Sequence, residues 1–270
     1  MASLSIIMPV YNEAATLRHA LDRVLGVEFP CPVELVVVND GSADATAEIL
    51  EDYRAPGITV VHQPENRGKG AAVRTGVDHA TGTHMVILDS DLEYNPRDIP
   101  ALMEPVVRGE AQHVFGARVF GVNSRFTSLK FAMGGRATTV AANLLYDSCL
   151  TDMHTCLKLI PIADFRAMPL RETGFGLDTE ITARLLRDGV RPYEVSISYL
   201  GRTADQGKKI SVGDGLECLK VLLRVRFSKR VSLPVGAIEG AVPVAAGLTA
   251  LATPDASDPD HSPVGSASSA

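Results

Sequence analysis

From residue 4 to residue 117 the chain alternates short apolar runs with stretches of helical period. Residues 4–8 read as a strand and 14–25 as a helix. A Val-rich strand over 33–38, broken only by Glu34, precedes a helix over 44–53. A strand at 58–61 leads to a helix over 69–80. A strand at 84–88 leads to a helix over about 99–107, and 114–117 reads as one more short strand. Apolar strands alternating with helices specify an α/β fold, with a parallel sheet covered on both faces. Right-handed crossovers then bring the strand C-termini to one edge, where open α/β sheets bind ligands. Beyond residue 118 the pattern loosens. Helices are expected over 126–145, despite Gly134-Gly135, and over 178–186, with a strand over 193–199. Residues 216–227 form a basic amphipathic helix, with Leu216, Leu219, Leu222 and Leu223 on one side.

Four polar loops fall on that edge: Pro9-Val10-Tyr11-Asn12-Glu13, Asn39-Asp40-Gly41-Ser42, Asn66-Arg67-Gly68-Lys69-Gly70 and Asp89-Ser90-Asp91. The last is the most informative. Two aspartates one residue apart at a strand's exit suit a hard divalent cation, Mg²⁺ or Mn²⁺, which bridges to phosphate oxygens. D-x-D also occurs as a plain turn or cap, so the convergence of loops carries more weight than the motif. Residues 66–70 are built like a phosphate cradle, with glycines for close backbone approach. The P-loop spacing is absent.

Composition narrows the class. The 270 residues are 46% hydrophobic and 21% charged, as in a globular protein. A net charge of −6 argues against a nucleic-acid partner, and residues 231–270 supply −4 of it. Cys31, Cys149, Cys156 and Cys218 form no C-x-x-C pair and read as thiols in a reducing cytosol. No basic stretch followed by an apolar one opens the chain, so no signal peptide is expected. The apolar stretch 231–253 is interrupted by Pro234, Gly236, Glu239, Gly240 and Pro243. It falls short of the roughly 20 mostly apolar residues of a membrane span. Residues 254–270, rich in Ser, Pro, Asp and Ala, are expected to be disordered.

The segments IIMPVYNEAATL, ELVVVNDGSADAT, NRGKGAAVRTG, ILDSDLEYNP, DMHTCLKLI, GFGLDTEITARLL and YEVSISYLGRTADQGKKI, followed by DG, occur in order over residues 4 to about 215. Together they resemble family 2 glycosyltransferases of the GT-A fold, closest to polyprenyl- or dolichyl-phosphate hexose synthases. The resemblance implies a mostly parallel central sheet flanked by helices. Residues 1–117 would be the nucleotide-sugar-binding half of a single domain and 118–212 the acceptor-side half. The basic helix (213–230) suits either an anionic bilayer surface or packing on the domain, and 231–270 is a tail. The implied location is cytoplasmic, peripheral on the inner face of the plasma membrane.

The implied donor is a nucleotide sugar, GDP-mannose or UDP-glucose. By resemblance Pro9, Tyr11, Glu13 and Asp40 border its base and ribose. Lys69 and Asp89-Ser90-Asp91 meet its diphosphate. Asp89 and Asp91 would hold Mg²⁺ or Mn²⁺, with Glu93 nearby where many relatives carry Gln. Asp40-Gly41-Ser42 equally makes a turn and helix cap, and Asp98 reads as an N-cap. For a polyprenyl phosphate acceptor, Arg118, Arg136 and Arg202 are the leading cations. They belong to a set that includes Arg125, Lys130, Lys208 and Lys209. A phosphomonoester, with a second pKa of about 6, needs no strong base. A hydroxyl acceptor needs one: Asp178 first, then Glu180, with Asp152 lining the same cleft. The catalytic candidates are therefore Asp89, Asp91 and Asp178.

Overall fold

The apolar runs of the first half become β1 (Leu4–Val10), β2 (Val33–Asn39), β3 (Ile58–His62), β4 (His84–Ile87) and β5 (Val114–Ala117). Between them lie α1 (Leu17–Leu25), α2 (Thr46–Asp52), α3 (Lys69–His79) and α4 (Ile99–Val107). The second half adds β6 (Ser124–Arg125), α5 (Leu129–Tyr146), β7 (Lys158–Pro161) and α6 (Ile162–Ala167). It ends with α7 (Gly176–Asp188), β8 (Tyr193–Ser196), β9 (Tyr199–Leu200) and α8 (Val212–Phe227). This computed structural model describes residues 2–53, 55–119, 122–202 and 212–235.

Seven strands form one sheet in the order β3-β2-β1-β4-β7-β5-β8. β1 is parallel to β2 and β4, β2 to β3, and β5 to β8. β7 alone runs antiparallel to its neighbours β4 and β5. The sheet is thus mostly parallel and lies in an α/β fold, as expected. Successive residues Ile6, Ile7 and Met8 of β1 are all fully buried, because both faces of the sheet are covered. Parallel pairing puts the ends of β1, β2, β3 and β4 on one edge, so the four polar loops emerge together.

Three features depart from the sequence pattern. The strand expected over 193–199 is two strands: β8 pairs with β5, whereas β9 pairs with β6 in a separate small sheet. The break falls at Ser198, whose N–H and hydroxyl both donate to Asp98 (2.8 and 3.3 Å). Asp98 stands at the N-cap of α4 but makes no side-chain cap, its carboxylate being spent on that break. Second, β7 and α6 were not anticipated, because a four-residue strand containing a lysine has neither the length nor the alternation that marks one. Third, α8 does not place its leucines on one face. Val221, Leu222 and Val225 are buried against the domain, while Leu216, Leu223 and Phe227 are exposed.

The start of the tail is pinned. Leu233 N–H donates to Asp188 and Val235 N–H to Asp164. The expected disorder over 254–270, and Lys208 and Lys209, lie outside the described residues. No described helix is long and apolar enough to cross a membrane.

Candidate active site

The Asp89-Ser90-Asp91 turn leaves β4 beside β1. Buried Ser90 aims its hydroxyl at the Pro9 carbonyl (3.5 Å). Leu92 takes a left-handed conformation, φ 66°, which reverses the chain directly after Asp91. The Asp91 carboxylate then accepts the Glu93 N–H at 3.0 Å. Burial raises the Asp91 carboxyl to about 7, helped by the nearby charges of Asp89 and Glu93 and opposed by Arg202. Arg202 donates to Asp91 at 2.8 Å and lies 3.5 Å from Glu93 and 3.9 Å from Glu13. Glu93 accepts the Arg202 N–H (2.8 Å) and the Tyr199 hydroxyl (2.6 Å).

Asp89 faces a different cation. Lys69, the first residue of α3, lies 2.9 Å from Asp89 and 3.4 Å from Asp178 of α7. The loop before Lys69 is held by buried Asp40, which accepts the N–H groups of Arg67 and Gly68, both at 2.8 Å. Gly68 has φ 89°, and a Cβ there would lie 2.5 Å from the Thr173 carbonyl oxygen. Gly70 packs equally closely, its N–H donating to Thr173 at 2.6 Å. These glycines therefore serve the docking of residues 172–173 as well as any phosphate. Behind Asp178 lies Lys158 of β7. It is fully buried, with its ammonium 3.6 Å from Asp178 Oδ1 and donating to the Thr155 carbonyl. Burial raises the Asp178 carboxyl, but Lys69 and Lys158 more than reverse this and hold it below its usual value.

Arg118 spends its fork on Asp152, at 2.6 and 3.0 Å, and its guanidinium lies 4.9 Å from the Tyr199 ring centroid. Burial alone would raise Asp152, yet the charge and hydrogen bonds of Arg118 bring it down to about 2. His154 shares a hydrogen bond with Thr138 of α5 (2.6 Å), and burial pushes it down to about 4. It is neutral at pH 7.

The structure thus brings Glu13, Lys69, Asp89, Asp91, Glu93, Asp178 and Arg202 into one charged network. Arg118 borders that network through Tyr199. Pro9 and exposed Tyr11 flank it at the end of β1. Asp40 is engaged within the protein, Arg136 and Lys130 sit at exposed positions of α5, and Arg125 is exposed on β6. Glu180 turns away from the network: it accepts the N–H groups of Arg171 and Glu172 and pairs with Arg184. Lys158 and Tyr199 were missed from sequence. The available signal was a lysine inside the apolar run 157–162, since a fully buried lysine normally has a partner.

Among the described residues no group of three or more potential ligands stands assembled as a metal cage. Lys69 holds Asp89 and Arg202 holds Asp91, two cations where one ion would sit. The donor set nonetheless fits Mg²⁺ or Mn²⁺. These ions keep several waters and need only one or two carboxylates.

Residues 5–149 match the profile described as Glycosyl transferase family 2. Glycosyltransferase AglJ of Haloferax volcanii is 28% identical over 201 residues, covering 74% of this chain and 64% of that protein. The chain therefore spans less than two thirds of AglJ. Dolichyl-phosphate beta-glucosyltransferase ALG5A of Trichomonas vaginalis is 32% identical over 247 residues, 84% of this chain and 74% of that one. Among solved structures, glucosyl-3-phosphoglycerate synthase from Mycobacterium tuberculosis, in complex with Mn²⁺, UDP-glucose and phosphoglyceric acid, superposes with a TM-score of 0.63 at 20% identity. It covers 83% of this chain and 80% of its own. That likeness bears on fold, and the fold is GT-A. With the family profile spanning over half of its length, this chain belongs to glycosyltransferase family 2.

Proposed function

We propose that this chain moves a hexose from a nucleotide sugar, GDP-mannose or UDP-glucose, to a polyprenyl phosphate, with Mg²⁺ or Mn²⁺. The observation that carries the acceptor is the pairing of Asp178. A general base works best with a pKa near the operating pH. Asp178 is flanked by Lys69 and Lys158, which hold its carboxyl low. A poor base in that place favours an acceptor that needs none, and a phosphomonoester is largely dianionic at pH 7. The dolichyl-phosphate acceptor of ALG5A agrees with a lipid-phosphate acceptor, and the Mn²⁺ and UDP-glucose of the structural neighbour with the donor and metal.

In this reading an acceptor phosphate oxygen attacks the sugar's C1. The bond from C1 to the nucleoside diphosphate breaks, and C1 inverts. Bound at Asp89 and Asp91, with Glu93 beside them, a divalent ion would offset charge on the departing diphosphate. Tyr11, Glu13 and Asp40 border the base and ribose, and Ser90 the diphosphate. Lys69 turns from Asp178 to the phosphates. Arg118, Arg136 and Arg202 receive the acceptor phosphate, supplying proximity and charge. The exposed apolar row Leu216, Leu223 and Phe227 lies on the same helix as Lys220, Arg224 and Arg226, and this combination favours contact with an anionic bilayer. The test is to incubate protein, metal, each donor and a short polyprenyl phosphate, and weigh the lipid by mass spectrometry. A gain of one hexose supports the reading. Donor hydrolysis without lipid product, across the whole donor panel, removes it.

A second reading, transfer to a hydroxyl with Asp178 as base, draws on one observation: buried Asp178 Oδ1 has no hydrogen-bond partner among the described residues. Under that reading Asp178→Asn abolishes transfer to any acceptor.

A further inference from the structure

We infer that Lys158 is a positioning residue for donor binding: by pairing Asp178 from below, it releases Lys69 to meet the donor's diphosphate. This rests on the nucleotide-sugar reading above. The two cations that flank Asp178 differ in what they can reach. Lys69 belongs to both sides, touching Asp89 at 2.9 Å and Asp178 at 3.4 Å. Lys158 is fully buried on β7, and its ammonium lies among Asp178 Oδ1 at 3.6 Å, the Thr155 carbonyl and the Phe115 ring, whose centroid is 5.2 Å away. It is sealed from solvent, so it is no phosphate ligand itself.

Charges therefore alternate along one line: Asp89, Lys69, Asp178, Lys158. If Lys69 turns toward a diphosphate, Asp89 would be left to hold a divalent ion that offsets its charge, and Asp178 retains a partner in Lys158. Without Lys158, that same movement strands a buried carboxylate, which is strongly unfavourable. Lys69 would then be pinned to Asp178 and the diphosphate would be bound less well. An apolar side chain of the same length would fill the space equally well, so the distinctive contribution of Lys158 is its charge. Burial lowers the affinity of Lys158 for its proton, and Asp178 is the foremost charge opposing that.

The test is calorimetric titration of the full chain with GDP and with UDP in the presence of Mg²⁺. For whichever nucleotide the wild type binds, Lys158→Met should weaken affinity roughly tenfold, within the range of coupled buried groups. The double variant Lys158→Met/Asp178→Asn should bind within about twofold of Asp178→Asn alone, because no carboxylate remains to hold Lys69. A packing defect at position 158 would not be rescued by a second change in the same buried site. Should Lys158→Met fail to fold, Lys158→Gln, which keeps a donor for Thr155, carries the same expectation. Wild-type affinity in the Lys158 variant, or a double variant as weak as the single one, overturns the inference. Binding of neither nucleotide by the wild type fails the donor reading itself, and the inference with it.

Discussion

Asp89 and Asp91 stand one residue apart yet meet opposite surroundings. Asp89 leans on Lys69, a largely buried lysine tied through Asp178 to Lys158 in the core. Asp91 leans on Arg202, which is 30% exposed. One side of the motif is built into the sheet by a chain of alternating charges. The other meets a cation near the surface, shared with Glu13 and Glu93. A single D-x-D therefore joins a fixed electrostatic floor to a partner that can exchange more cheaply, since exposed ion pairs contribute little and buried ones resist separation.

The largest expected effect breaks the motif itself. Asp91→Ala should lower hexose transfer by at least about a hundredfold, read by steady-state kinetics with saturating metal. Next comes the asymmetry. Lys69→Met leaves Asp89 and Asp178 without their shared cation and should cost about 3 kcal/mol in urea unfolding. A smaller effect belongs to the second half of the chain. His154, held at about 4 in the folded chain and near 6.5 when unfolded, binds fewer protons folded between those values. Its contribution to stability is thus fully present above about pH 6.5 and is lost as pH falls through 4. His154→Gln should flatten the stability profile over that window by about 2 kcal/mol, measured by denaturation across pH. The smallest effect is on the more accessible cation: Arg202→Met, at a partly exposed side chain, should cost about 1 kcal/mol by the same urea unfolding measurement. Equal losses for Lys69→Met and Arg202→Met would remove the comparison.

The first half of the chain was legible because its strands are apolar on both faces and its polar residues gather in four loops. Parallel pairing then dictated that Tyr11, Asp40, Lys69 and Asp89 emerge on one edge. The second half was not legible in the same way. β7 enters antiparallel, and the four residues from Lys158 to Pro161 give no periodic signal. The strand that continues past Ser196 changes sheets because Asp98, far away in sequence, holds Ser198. Which cation meets which carboxylate is likewise a tertiary matter. The sequence groups Arg202 with other cations, and only the fold shows that it pairs with Asp91 and Glu93. The spacing of charges along the chain carries no record of such pairings.

The most direct test of the central claim is the rate of hexose transfer to polyprenyl phosphate by Asp178→Asn. With a phosphate nucleophile and Asp178 held as a paired anion rather than a base, the variant should keep at least about a tenth of the wild-type rate. A loss of about a thousandfold or more, in a variant that still binds the donor, would assign Asp178 proton abstraction and contradict the account.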